Sequence, residues 1–170
     1  MNIVVDVESD GPCPGIFSMI SLAAIVVEPG LSRCIKIQCR PDDPTVRQWL
    51  PEALASCRVT REAHLSYPEP DGEVRKFALW LAALNSPTMW SDNPAFDWQW
   101  VNYNLWRYAG SNPLGHSARR IGDLYCGIKR DLHANRQWKK LRDTRHTHDP
   151  LDDARGNAEA LLKIFEMLKK

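Results

Sequence analysis

Asp6 and Glu8 flank Val7 at the end of an apolar run, Ile3 to Val5, and far along the chain His148 stands five positions before Asp153. Residues two apart on an extended strand point to the same face, so this spacing predicts two carboxylates side by side at a strand tip. At ~4 Å and an effective dielectric near ~20, such a pair costs about 4 kcal/mol, and every further carboxylate adds to the load. A divalent cation is the natural countercharge, and an all-oxygen donor set suits Mg2+ or Mn2+ better than zinc. The chemistry such a site offers is metal-assisted hydrolysis. A second triplet of the same form, Asp71-Gly72-Glu73, opens an amphipathic segment instead, where its acids favour a helix N-terminus.

The elements that must position these groups follow from pattern and punctuation. After the first strand, Ser9-Asp10-Gly11-Pro12-Cys13-Pro14-Gly15 is turn-rich, and Phe17 to Glu28 reads as a long strand closed by Pro29-Gly30. Ser32 to Cys39 alternates as a third strand, which with its short connections gives an antiparallel meander. Pro41 to Thr45 is expected to start a helix running to about Ala55, and Asp71 to Leu84 a second one, with Phe77, Trp80, Leu81 and Leu84 on a core-facing side. Pro87 to Ser91 reads as a short buried strand, Ala95 to Tyr108 as a helix with Asp97 in its first turn, and Arg119 to Leu124 as another strand. Leu151 to Lys170 is a strong amphipathic helix with Asp152 and Asp153 in its first turn.

Composition sets bounds on the class. With 170 residues, 44% hydrophobic and 25% charged, the chain is expected to form one domain over residues 1–170 with a proper core. A net charge of +1 announces neither a nucleic-acid nor a membrane partner through a global field. Locally, Lys129, Arg130, Arg136, Lys139, Lys140, Arg142 and Arg145 face only Asp131 and Asp143 in sequence; this stretch is either phosphate-facing or a solvated surface. Five cysteines without a C-x-x-C pair indicate neither a disulfide framework nor a zinc knuckle, and fit a reducing, cytoplasmic setting. The apolar stretches Ile20 to Val27 and Phe77 to Leu84 are too short for a membrane span.

Taken alone, Asp97 is an ordinary helix N-terminal charge and His148 a loop histidine. In order along the chain, however, come D-x-E on the first strand, Asp97 within Asn93-Pro94-Ala95-Phe96-Asp97, and H-x4-D opening the last helix. This conjunction, spanning residues 6 to 153, resembles the DEDDh 3'-to-5' exonucleases, a superfamily that includes ribonuclease T and polymerase proofreading subunits. The size and the Asn93–Asp97 motif look most like the small single-domain exoribonucleases of bacteria and phages. The resemblance implies an α/β, ribonuclease-H-like fold: a mixed central sheet, the antiparallel meander plus further strands, flanked by helices. It implies two divalent cations, Mg2+ or Mn2+. One would lie between Asp6, Glu8 and Asp153 with the attacking water; the other would bind Asp6, with Asp97 reached directly or through water. His148 would be the general base, with an unperturbed pKa of ~6.5 suited to that task. The implied substrate is single-stranded nucleic acid with a free 3' end, RNA favoured over DNA, cut to nucleoside 5'-monophosphates.

Candidate substrate contacts are Ser9, Asp10, Phe17, Asn93, Lys139 and Lys140. Where many relatives carry Thr-Thr-Gly after the D-x-E, this chain has Ser9-Asp10-Gly11-Pro12, so Asp10 either selects a sugar hydroxyl or caps the turn. Phe17 and Met19 are candidates to face the last base, with core packing as the other reading. Phe96, Trp98, Trp100, Tyr103, Trp106 and Tyr108 crowd one helix; positions 98 and 100 face different sides, so some rings are expected to be exposed, for packing or a homodimer surface. Two other classes remain. His146-Thr147-His148-Asp149 resembles the start of the H-x-H-x-D-H motif of zinc hydrolases, but Pro150 and Leu151 stand where that motif needs Asp and His. A binding protein with a dead site would not need four acids and a histidine in this order.

Overall fold

The computed structural model describes residues 1–43, 45 and 48–169. Its centre is a five-stranded sheet in the order β3-β2-β1-β4-β5. β1 (Asn2–Ser9), β2 (Met19–Val26) and β3 (Cys34–Gln38) form the antiparallel meander, while β4 (Thr88–Ser91) runs parallel to β1 and β5 (Arg119–Arg120) parallel to β4. The helices are α1 (Pro51–Ser56), α2 (Arg61–Leu65), α3 (Pro70–Ala82), α4 (Pro94–Asn104), α5 (Ile121–Lys129) and α6 (Pro150–Met167). This is the mixed α/β sheet with flanking helices expected from the sequence. Among the described residues, no helix is long and apolar enough to cross a membrane.

β1 sorts its side chains by parity, as a pleated strand must. Ile3, Val5 and Val7 join Phe77, Leu81, Trp100 and Val101 in the core beneath α3 and α4. Val4 points the other way, into the core formed by Trp90, Ile121, Tyr125, Trp138, Ala154, Ala158 and Leu161 under α5 and α6. Asp6 and Glu8 continue the row of Val4, so the strand delivers both carboxylates to the face covered by α6. Pairing with β4 stops at Val4↔Trp90, whereas pairing with β2 continues to Ser9 with a register shift between Glu8 and Ser9. The end of β1 therefore projects past β4.

Several boundaries differ from expectation. The helix expected from 41 to 55 is present only as Pro51–Ser56, and residues 44, 46 and 47 lie outside the described ones. The strand expected over Arg119 to Leu124 is two residues long and turns directly into α5, because Ile121, Tyr125 and Cys126 share one helical face and bury against the α6 side of the sheet. α4 ends at Asn104 and passes into a wider π-helical turn, Leu105–Ala109. Of its aromatic residues, Trp100 is core at 1% exposure, while Trp106, in the turn, is 56% exposed. The basic stretch becomes two short 3-10 turns, Leu132–Ala134 and Gln137–Leu141.

Candidate active site

α6 brings the third acid. Asp149 caps the helix by accepting from the Leu151 N–H at 2.9 Å, and Pro150 occupies the first turn, where its missing N–H costs nothing. Asp153 then lies on the buried side of that turn, 1% exposed, against the row of Val4, Asp6 and Glu8. Its carboxylate accepts from the backbone N–H groups of Thr147 and His148 at 3.0 and 3.1 Å, so the loop before the helix folds over it. Asp6, Glu8 and Asp153 each present a carboxylate oxygen, and the three oxygens lie within 4.8 Å of one another.

Asp97 reaches the same place from the other side of β1. It is 5% exposed; Oδ1 accepts from the Val7 N–H at 3.0 Å, which β4 no longer pairs, and Oδ2 accepts from the Ser91 hydroxyl. Asp97 thus stands next to Asp6 without entering the tight trio, and Ser91, at the end of β4, orients it. The four acids far apart in sequence do converge.

Electrostatics mark this as a cation site. Burial raises the Asp6 pKa well above the ordinary value, and the charges of Asp97, Glu8 and Asp153 raise it further. Burial also pushes Glu8 up to about 7, against the Cys57 thiol, which donates to its Oε2 at 3.0 Å; Asp153 and Asp149 add to the rise. Asp97 is likewise raised to about 7 by burial, opposed by its Ser91 and Val7 hydrogen bonds. Arg142 works in the other direction on Asp6. Its side chain is 9% exposed, stacks over Trp138 at 5.0 Å and donates to Asn157 Oδ1. One guanidinium does not balance four carboxylates. A crowded set of hard oxygen donors in this state fits a divalent cation, for which Asp6, Glu8 and Asp153 would be the direct holders.

The histidines sit on the loop in front of α6. His148 has a left-handed backbone, φ 60°, and its Nδ1 is 3.8 Å from Glu8 Oε1. His146 places Nδ1 2.7 Å from Asp153 Oδ2, and the two imidazoles meet edge-on with centroids 4.3 Å apart. The loop is pinned from below. Glu159 accepts from the backbone N–H groups of Asp143 and Thr144 and from the Thr144 hydroxyl. Gly156 lets the chain approach α6: a Cβ there would lie 2.7 Å from the Thr144 carbonyl oxygen.

The candidate substrate contacts divide. Asn93, Lys139 and Lys140 are exposed, with Lys139 paired to Asp92 at 2.5 Å. Phe17 is partly buried against the core, and Met19 is core at 4% exposure. Ser9 and Asp10 need correcting as contact residues, because both are turned inward. The Ser9 hydroxyl donates to the Gly11 carbonyl at 2.6 Å, and Asp10, with no exposed surface, accepts from the Ser18 N–H at 2.6 Å and pairs with Arg61 at 3.2 Å. Asp10 is a turn cap.

Sequence reasoning passed over His146, Ser91, Cys57 and Arg142 as site residues. His146 carried a signal, since two histidines two apart in an extended loop share a side. Cys57 and Arg142 reach Glu8 and Asp6 only through packing across dozens of residues, while Ser91 sits six positions before Asp97.

No protein-family model matches the chain. A relative from Escherichia coli, described as the 3'-5' DNA exonuclease Cap18, is 29% identical over 184 aligned positions covering 99% of this chain and 93% of its own. Among solved structures, the nuclease domain of 3'hExo, described as a DEDDh family member bound to rAMP, superposes with a TM-score of 0.74 at 11% identity, covering 97% of this chain and 91% of that one. The E. coli ExoI–ssDNA complex superposes with a TM-score of 0.72 at 16% identity; this chain is covered over 99% of its length and spans 40% of that structure. The structural likenesses establish the fold. The chain thus shares its fold with a DEDDh family member and is similar along nearly its whole length to a 3'-5' DNA exonuclease.

Proposed function

We propose that the protein is a metal-dependent 3'-to-5' exonuclease that shortens single-stranded nucleic acid from a free 3' end and releases nucleoside 5'-monophosphates. The observation that carries this reading is the convergence of Asp6, Glu8 and Asp153, with Asp97 beside them, at the projecting end of β1. Two Mg2+ or Mn2+ ions at these residues would supply an acidified water and a neutralised leaving oxygen.

The chain's own groups do the rest. His148 accepts the proton of the attacking water: its imidazole is about half exposed and faces Glu8. Asp97 fixes the end of β1 through the Val7 N–H and keeps the Asp6 backbone from fraying where β4 has stopped. Beside His148 opens a cleft of about 330 Å3, lined by Ser21, Lys36, Gln38, Arg58 and Thr147 among others. That volume suits a nucleotide. Arg58 is exposed there with a left-handed backbone, φ 55°, a conformation that costs about 1 kcal/mol or more and is held where surroundings demand it.

Single-stranded DNA is the favoured substrate. The relative aligned over 99% of the chain is named a DNA exonuclease, and Asp10, the residue that offered a ribose contact, is spent inside its turn. The RNA expectation keeps its support from the motif resemblance. Matched 5'-labelled DNA and RNA oligonucleotides, with free or blocked 3' ends, decide between them in Mn2+ or Mg2+ buffer. The expected result is a ladder growing from the free 3' end, faster on DNA, abolished by a chelator and by the blocked end. Faster RNA trimming would overturn the sugar assignment; cleavage of blocked ends, or none at all, would overturn the exonuclease.

A further inference from the structure

We propose that His146, His148 and Asp153 form a second metal site, distinct in donor chemistry from the carboxylate trio, which takes Zn2+ and turns the enzyme off. Each of the three residues presents one ligand atom, and the three atoms lie within 4.8 Å of one another. The closest pair, His146 Nδ1 and Asp153 Oδ2, is 2.7 Å apart.

Zinc bound tetrahedrally, at about 2.0–2.2 Å from nitrogen and oxygen ligands, separates those ligands by roughly 3.3 Å. The His146–Asp153 pair must open by about half an ångström, and no other pair needs to close by more than about one and a half. The exposed imidazoles can do so by side-chain rotation. His146 and His148 are 52% and 45% exposed and sit on a loop, whereas Asp153 is buried and held by two backbone N–H groups. Asp153 is therefore the fixed arm and the imidazoles are the jaws. The fourth position would face solvent, open to water or a substrate phosphate.

Ligand chemistry separates this site from its neighbour. Asp6, Glu8 and Asp153 offer only oxygen, which suits Mg2+ and Mn2+, while two imidazoles and one carboxylate favour Zn2+ strongly over either. The sequence reading set aside His146-Thr147-His148 because Pro150 and Leu151 cannot complete a zinc hydrolase motif. In three dimensions Asp153 completes a three-ligand set instead. Zinc there occupies the imidazole that accepts the proton and engages the carboxylate shared with the catalytic ions. Inhibition rests on the nuclease reading; zinc binding does not.

The test begins with the metal alone. Zn2+ is titrated into metal-free full-length protein against a chromophoric chelator, comparing wild type with His146→Ala and Glu8→Gln. Loss of one ligand of three predicts at least a tenfold weaker affinity for His146→Ala, and Glu8→Gln is expected within threefold of wild type. Equal affinity for wild type and His146→Ala overturns the site, as does a loss in Glu8→Gln as large as that in His146→Ala, which would put zinc among the carboxylates. Co2+ added to wild type gives a reading that needs no variant: the intense visible absorption of a tetrahedral site supports the assignment, and only weak octahedral absorption overturns it. In Mn2+ buffer, Zn2+ should inhibit oligonucleotide trimming by wild type, and His146→Ala, normalised to its own zinc-free rate, should need at least tenfold more. Zinc inhibition unchanged by His146→Ala overturns the switch. A protein that bound zinc through His146 yet cleaved nothing would uphold the site and sink the nuclease.

Discussion

Asp6-Val7-Glu8 and Asp71-Gly72-Glu73 share a pattern and have opposite electrostatics. The first ends a strand, so both carboxylates face α6, partly buried beside two further acids that are buried, and the Asp6 and Glu8 pKa values rise. The second opens α3, where residues two apart diverge around the helix. Asp71 is exposed and paired with Arg75 one turn on, which lowers its pKa, and Glu73 pairs with Lys76. Acidic spacing alone carries no function; the difference is whether the fold supplies a cation. Around Asp71 it does. Around Asp6 it supplies more acids and leaves the cation to come from solution.

The largest expected effect breaks this contrast at its source. Asp6→Asn removes a ligand worth several kcal/mol of transition-state stabilisation, so trimming of a labelled oligonucleotide in Mn2+ should fall on the order of 10³-fold. Asp71→Asn should leave the rate unchanged. Single-turnover rates of the two variants side by side check this, with circular dichroism to show that both fold. Normal cleavage by Asp6→Asn would mean the metal site lies elsewhere.

Next in size is the pH dependence of the metal-free protein. Glu8 and Asp97 titrate near 7 in the folded state, above their ordinary values of 4.5 and 3.8. A carboxyl raised by folding binds its proton more tightly in the native state. Its contribution is therefore fully present below about pH 4 and is lost as pH rises through about 7. The Glu8 shift from 4.5 to about 7 corresponds to about 3 kcal/mol. Asp71, lowered by Arg75, has the reverse sign: its small contribution holds above its unfolded pKa and fades in acid. Thermal melts in chelator should show a lower Tm at pH 8 than at pH 5, by on the order of 10 °C. Mn2+ should restore most of the loss at pH 8, and Asp6→Asn should flatten the profile. A metal-free Tm that rises from pH 5 to pH 8 would contradict the crowded-acid site.

What the sequence disclosed follows from how local each signal is. The meander was legible because alternation and short turns act within a few residues, and α6 because its period, its acids and its apolar side agree. α5 was misread as a strand: Ile121 to Leu124 is too short to show its period, and only Ile121 with Tyr125, docked under the sheet, reveals it. The four acids were legible through their order along the chain. Their surroundings were not. Cys57 on Glu8 and Arg142 near Asp6 meet only because the sheet brings distant segments to one end, and Ser91 bonds Asp97 across the short β4–α4 connection. Asp10 illustrates the converse, an acid next to the motif that looks functional in sequence and is consumed by Ser18 and Arg61.

The smallest expected effect carries the contrast over to positive charge. Lys139 and Lys140 stand together on the Gln137–Leu141 turn, and sequence alone makes them equivalent phosphate contacts. In the structure Lys139 is bound to Asp92, as Arg75 is to Asp71, while Lys140 is exposed. A lysine that must first leave an aspartate releases little net charge to a phosphate, so only Lys140 should show in the salt dependence of binding. For a single strand, one lost contact flattens the slope of log K against log salt by about 0.7. Lys140→Ala should show that change in fluorescence-anisotropy titrations of a labelled oligonucleotide at several salt concentrations, and Lys139→Ala much less. Equal slopes in both variants and wild type would return both lysines to the solvated surface. A larger change for Lys139→Ala would mean that substrate displaces Asp92, and that an ion pair seen without substrate does not exclude a residue from binding it.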